Sequence, residues 1–188
     1  MKENLKSIRI MAIVLLVVII VSQIVVFVIP QSGVYLKIAT GISSLALISA
    51  MIYAIRGFGK NSAGFYSLYM LLYAFSELAT LVMLIMEMAD TVSGSPVMML
   101  FTSASVIALF MLAYMKDLGK KVSFGIVVVI MVFNIISAII TIWSTASAGA
   151  IVGMPVAVIR SGQRILLAAV AYLLVSSKYA DKEARGSC

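Results

Sequence analysis

Two arginines and a glutamine interrupt the last long apolar stretch of the chain, VAVIRSGQRILLAAV at 156–170. Arg160 and Arg164 are one helical turn apart and share a helix face, and Gln163 lies beside them. A guanidinium stays charged at physiological pH and holds carboxylates or phosphates through paired N–H donors. A charge at the centre of a membrane helix costs about 2.5–3.5 kcal/mol on insertion scales. We therefore expect both arginines to face the protein interior.

A glutamate in another apolar stretch, FYSLYMLLYAFSELAT at 65–80, offers a counter-charge. Glu77 lies near the middle of that stretch, and Tyr69 and Tyr73 precede it on the same helix face. We expect Glu77 to pair with one arginine, while the other attracts a carboxylate or phosphate that enters from outside. The two tyrosines would offer hydroxyls and flat rings to a small molecule.

A third polar face runs along the fifth apolar stretch, where Asn134 lies near mid-depth and Ser137 and Thr141 follow it. The residues predicted to bind a ligand are Arg160, Arg164, Glu77, Tyr73, Tyr69, Asn134 and Gln163. The alternative is a purely structural cluster, in which Arg–Glu–Arg pairing fixes the helix register and the tyrosines pack in the core.

Most catalytic chemistry is excluded by composition. The chain has no histidine, which removes imidazole acid–base catalysis and typical zinc sites. Its single cysteine, Cys188, is the last residue, and no aspartate falls within an apolar stretch. No glycine-rich phosphate loop of either common pattern occurs. We predict a protein that is not an enzyme and binds no cofactor or metal.

The composition indicates an integral membrane protein. The 188 residues are 63% hydrophobic and 11% charged, and the mean hydropathy is +1.17. Such a chain lies far from soluble domains, and runs of about 20 apolar residues match the hydrocarbon core of a bilayer. Lipid requires these runs to be helices. The predicted fold is all-α, a single six-transmembrane-helix bundle over 1–188 with spans at about 10–29, 36–55, 65–86, 97–115, 122–143 and 151–175.

The basic residues indicate the orientation. Eleven of the fourteen Lys and Arg residues fall on one side of the predicted spans, at Lys2, Lys6, Arg9, Arg56, Lys60, Lys116, Lys120, Lys121, Lys178, Lys182 and Arg185. The opposite side holds Lys37, Glu87 and Asp90. Short basic loops stay in the cytoplasm. We expect both termini to be cytoplasmic in a multi-pass protein of the cell membrane, with lipid headgroups rather than nucleic acid as the partner of the positive charge.

A weak internal similarity links the second and fourth spans, TGISSLALISAMIYAIRGFGK (40–60) and TSASVIALFMLAYMKDLGK (102–120). Tyr53, Tyr114 and Tyr172 recur near the ends of alternate spans. Three duplicated helical hairpins would explain this recurrence. The simpler explanation is that tyrosine followed by lysine suits any helix end at the cytoplasmic interface.

Two classes of function agree with these features. The first is binding or transport of a small anionic or zwitterionic solute at the central polar site. In length, number of spans and predicted cytoplasmic termini the chain resembles the substrate-binding subunits of energy-coupling-factor vitamin transporters. Those subunits carry Ala-x-x-x-Ala on the first helix, where this chain reads AIVLLVVIIVS (12–22).

The second class is a sensing or scaffolding domain that acts through a partner membrane protein, a peptide or a lipid. An open pocket lined by Arg160 and Tyr73 would favour the first class, and a close-packed cluster without a cavity the second.

Overall fold

The described part of the chain is helical. The computed structural model describes residues 2–28, 62–90, 96–115, 118–149 and 153–186, together with 41, 44, 45, 47–49, 51 and 52. No strand occurs among these residues, and nearly all of them lie in helices. The described helices are α1 Lys2–Val28, α2 Ser62–Asp90, α3 Pro96–Tyr114, α4 Lys120–Ser147 and α5 Met154–Gly186. The predicted all-α class is confirmed.

Four stretches within these helices are long and apolar enough to cross a membrane. They are Phe65–Met86, Pro96–Tyr114, Lys120–Ser147 and Met154–Tyr179. They correspond to the third, fourth, fifth and sixth predicted spans. Large apolar side chains point away from the bundle, as at Ile139 and Trp143, which are 62% and 74% exposed. A hydrocarbon environment accounts for this outward apolar surface, so the helices indicate a membrane location.

The first two predicted spans are described less completely. The described apolar part of α1, Ile10–Ile24, is shorter than the four spans above. The second predicted span, 36–55, lies largely outside the described residues, as do Lys37 and Tyr53. Its described residues are helical, and Ser44, Leu47 and Met51 are buried. Gln23 of α1 donates a hydrogen bond to the Ser44 hydroxyl, which ties this segment to α1.

The helix α5 is longer than its apolar stretch and passes through Gly162 without interruption. The sequence places a span at 151–175, but the helix continues to Gly186. Hydropathy detects only the apolar part, whereas Lys, Ala, Glu and Arg in the tail are good helix formers in water. Pro155 and Gly162 suggest a weakened helix. Pro155, however, lies in the first turn, where backbone N–H groups have no acceptor within the helix, so its missing N–H group costs no hydrogen bond.

Helices α2 to α5 form a closed ring. α2 packs most extensively on α3, and α4 on α5, while the smaller contacts of α2 with α5 and of α3 with α4 complete the ring. α1 packs along α5. The core includes the largest fully buried side chains on α2, Phe65, Tyr66, Tyr69 and Tyr73. This arrangement turns the polar faces of α2, α4 and α5 toward one another.

Candidate functional site

A cavity of about 240 Å³ lies among the described helices, and each of the five contributes to its wall. Its polar lining consists of Ser22, Ser76, Glu77, Thr80, Asn134, Ser137, Thr141, Arg160, Ser161, Gln163 and Arg164. Its apolar lining consists of Ala79, Leu84, Met98, Ala138 and Leu167. The volume lies just below the range of about 300–1,000 Å³ that is usual for small-molecule sites. The cavity therefore has room for a small polar molecule.

The cavity occupies one half of the bundle. Its lining residues come from the C-terminal halves of α1, α2 and α4 and from the N-terminal halves of α3 and α5. Leu84, Met98 and Thr141 mark the end of the cavity nearest the C-terminal ends of α2 and α4 and the N-terminal end of α3. Glu77 and Arg164 lie near the middle of their spans. The cavity thus extends from mid-bundle toward the end opposite the lysine-rich connections.

An ion pair joins α2 to α5 in the cavity wall. Arg164 donates hydrogen bonds from Nε to Glu77 Oε1 at 3.2 Å and from Nη2 to Glu77 Oε2 at 2.6 Å. The side chains are 19% exposed for Arg164 and 2% for Glu77. This is the two-pronged geometry in which a guanidinium holds a carboxylate most firmly. The predicted pairing of Glu77 with one arginine is confirmed, and the partner is Arg164.

A second polar contact joins α4 to α2. Asn134 Nδ2 donates a hydrogen bond to the Tyr73 hydroxyl at 2.8 Å, and both residues are buried. Together with the Glu77–Arg164 pair, this bond confirms that the polar faces of α2, α4 and α5 meet inside the bundle. Burial of these groups in a membrane protein has a desolvation cost, which the hydrogen bonds offset.

Two buried polar atoms on residues that line the cavity lack a hydrogen-bond partner among the described residues. They are Asn134 Oδ1 and Ser137 Oγ, and each residue is only 2% exposed. Most buried polar atoms in proteins are hydrogen-bonded, so each exception calls for an explanation. A carbonyl oxygen offers only acceptor capacity, whereas a hydroxyl both donates and accepts. Two residues of the wall therefore carry unused hydrogen-bonding capacity at buried atoms.

The two tyrosines predicted to bind a ligand do not line the cavity. Tyr69 donates from its hydroxyl to the Leu167 carbonyl at 2.9 Å, and Tyr73 accepts from Asn134. Their rings pack against each other with centroids 6.3 Å apart, and Phe65 extends the row at 6.2 Å from Tyr69. They contact α4 and α5 and hold residues of the wall in position. Their predicted contact with a ligand lacks support in this geometry.

The remaining predicted residues share the cavity wall. Arg160 and Gln163 line it beside Arg164, within about one turn of α5. Asn134 and Glu77 complete the group from α4 and α2. Five of the seven predicted site residues therefore surround one space.

Some lining residues were not singled out from the sequence. Ser22 lies next to Gln23 in an otherwise apolar stretch, and this polar pair was an available signal. Ser161 adjoins Arg160 but falls on the neighbouring helix face. Met98 carries no signal, because the chain has thirteen methionines spread over nearly every span.

A separate set of polar contacts lies at the opposite end of the bundle. The Tyr179 hydroxyl donates to the Leu118 carbonyl and also lies 2.8 Å from the Ser123 hydroxyl. The Lys178 ammonium lies 4.2 Å from the centre of the Tyr66 ring, a cation–π contact. These contacts link α2, α4 and α5 where the lysine-rich connections begin.

Comparisons of the chain with protein families, curated proteins and solved structures find no match. Within the described residues, no group of three or more Asp, Glu, His or Cys side chains is placed to hold a metal ion. The chemistry of the cavity wall is therefore the basis for any functional conclusion.

Proposed function

We propose that this protein binds a small anionic or zwitterionic solute in the cavity lined by the five described helices, and that it presents or transports this solute across the membrane. The observation that carries the proposal is a cavity whose wall contains a guanidinium–carboxylate pair, with two unpartnered polar atoms on residues that line it. Solute sites characteristically combine a mostly formed cavity with a few convergent polar groups.

The cost of charge in a membrane interior supports a functional role. Arg160, Arg164 and Glu77 all lie within spans, and ionisable groups at such positions usually mark solute or ion pathways. A purely structural cluster would be expected to pack without a cavity, whereas these three side chains line one. This difference favours a solute-binding protein over a sensing or scaffolding domain.

A thermal-shift screen tests the proposal. The purified protein is heated in detergent with a panel of anionic and zwitterionic metabolites, beside the variants Arg160→Gln and Arg164→Gln. We expect at least one compound to raise the melting temperature of the wild type and to lose this effect in at least one variant. Tyr114→Phe is the matched control, because Tyr114 is 68% exposed and distant from the cavity wall. If no compound stabilises the wild type and both arginine variants melt far below it, the arginines have a structural role.

We also propose six spans with both termini in the cytoplasm of a cell-membrane protein. The uneven distribution of Lys and Arg supports this orientation. Exposed aromatic residues near opposite ends of the bundle, Trp143 on α4 and Tyr114 on α3, fit the two membrane interfaces. In this orientation the cavity lies in the outer half of the membrane, so the solute would enter from outside.

Single-cysteine labelling tests the orientation. In a Cys188→Ser background, Ser147→Cys and Met115→Cys each introduce one exposed thiol near opposite ends of the bundle. A membrane-impermeant maleimide applied to intact cells should label Ser147→Cys and should reach Met115→Cys only after permeabilisation. The reverse pattern would invert the proposed orientation.

A further inference from the structure

We infer that the solute is a zwitterion and that Asn134 Oδ1 accepts a hydrogen bond from its ammonium group, an inference that rests on the proposed function above. The observation is that only one end of the Asn134 carboxamide is hydrogen-bonded within the described part of the chain. Asn134 Nδ2 donates to Tyr73, so the amide nitrogen is already bonded. The carbonyl oxygen, on a residue that lines the cavity, has no partner among the described residues.

The donor and acceptor properties of the wall discriminate between ligand classes. An amide carbonyl only accepts hydrogen bonds, and so does a carboxylate or a fully ionised phosphate. A simple anion placed against Asn134 Oδ1 would therefore bring two hydrogen-bond acceptors together with no hydrogen between them. An ammonium group carries three N–H donors and no acceptor. It satisfies the carbonyl oxygen and can also bond to the nearby Ser137 hydroxyl, the second unpartnered atom.

Charges of both signs in the wall fit the same class. Glu77 contributes a carboxylate and Arg164 a guanidinium, and both residues line the cavity. The ion pair uses two of the five guanidinium N–H donors, so Arg164 retains donor capacity for a ligand carboxylate. Arg160 adds a second guanidinium to the lining. The two arginines suit the carboxylate of a zwitterion, while its ammonium would lie at Asn134 and Ser137.

The size and apolar part of the cavity narrow the class further. A volume of about 240 Å³ admits a small molecule, and Leu84, Met98 and Ala138 give part of the wall an apolar character. A molecule with an ammonium, a carboxylate and a short apolar side chain matches these features. The geometry points to an amino acid of this kind.

The first experiment separates the two charged groups of the ligand. Apolar amino acids from alanine to phenylalanine are tested by thermal shift, each beside its deaminated carboxylic acid and its decarboxylated amine. We expect at least one amino acid to raise the melting temperature and both of its partial analogues to have little effect. Equal stabilisation by the deaminated acid would overturn the ammonium assignment and leave the proposed anion site intact.

The second experiment tests the carbonyl oxygen of Asn134. Asn134→Asp keeps an acceptor oxygen at this position, and Asn134→Ala removes it. For an amino acid that binds, we expect Asn134→Ala to weaken the affinity about 10–100-fold, the usual effect of losing a hydrogen bond to a charged group. Asn134→Asp should keep the affinity within about tenfold of the wild type. Equal weakening by both substitutions would contradict the assignment.

The outcomes distinguish the inference from the proposed function. If amino acids fail to bind while simple anions bind, the ammonium assignment is wrong and the solute site stands. If no compound of either panel binds the wild type or any variant that folds, the solute site itself is wrong. Ala168→Gly serves as a folding control, because Ala168 is fully buried and is not among the residues that line the cavity, so it should not alter the ligand response.

Discussion

The hydrogen bond from Asn134 to Tyr73 joins two helices that are not packed directly against each other. Among the described residues, α2 and α4 are diagonal neighbours in the ring and make no close backbone contacts. The long tyrosine side chain reaches across the bundle and ends at a residue of the cavity wall. The bond therefore fixes the orientation of the Asn134 amide and closes the centre of the ring beside the cavity.

Removing the tyrosine hydroxyl should destabilise the bundle. Tyr73→Phe leaves both ends of the Asn134 amide without a partner in a buried position, which should lower the free energy of unfolding by about 1–3 kcal/mol. Equilibrium unfolding in mixed detergent measures this difference. The matched change Tyr114→Phe, at a tyrosine that is 68% exposed, should alter stability by less than about 0.5 kcal/mol. Similar values for the two variants would show that the diagonal bond contributes no stability.

The second prediction concerns the buried ion pair. Glu77→Gln leaves the Arg164 charge without its counter-ion, and the loss should be about 3–5 kcal/mol. Arg164→Gln should be comparably damaging, because the Glu77 side chain is only 2% exposed. The double variant carries neither charge, so its loss should be smaller than the sum of the single losses. A double-mutant cycle measures this coupling, and strictly additive losses would show that the pair does not act as a unit.

Part of this arrangement was predictable from the sequence, and the physical reason differs between residues. Glu77, Arg160 and Arg164 were predicted to lie inside the bundle because charge is costly in lipid, and this cost is the same whatever the fold. Tyr69 and Tyr73 lie on the predicted helix face, but their predicted contact with a ligand lacks support, because their hydroxyls bond to the Leu167 carbonyl and to Asn134. Periodicity identifies a buried face, yet it does not distinguish a residue that lines a space from one that packs behind it.

Other features depend on the tertiary arrangement and left no local signal. Arg160 and Arg164 have equivalent chemistry and share one helix face, so only the position of α2 brings the Arg164 guanidinium onto both carboxylate oxygens of Glu77. Met98 enters the wall because α3 completes the ring. Hydropathy does not reveal the C-terminal extent of α5, because the apolar stretch ends at about Val175, whereas the helix continues to Gly186.

The third prediction separates the two ends of the bundle. Tyr179→Phe removes the hydrogen bonds to Ser123 and to the Leu118 carbonyl, so it should cost about 0.5–1.5 kcal/mol for each bond lost. Because these contacts lie away from the cavity, the melting-temperature increase caused by a bound solute should remain as in the wild type. Thermal unfolding with and without ligand measures both quantities. Loss of the ligand response in this variant would show that the two ends are energetically coupled.

The last prediction uses a matched pair of alanines to test the cavity itself. Ala138 lines the cavity, whereas Ala168 is fully buried in the packed core. Ala138→Leu should place its added carbons in the cavity and retain most of the stability, while it abolishes solute binding by occupying the space. Ala168→Leu adds the same atoms to a close-packed region and should cost about 1–3 kcal/mol through overpacking. Equilibrium unfolding compares the two variants, and isothermal titration with a solute found in the screen measures binding to Ala138→Leu. Unchanged affinity in Ala138→Leu would place the solute elsewhere. Equal destabilisation by the two substitutions would show that the space beside Ala138 does not accept a larger side chain.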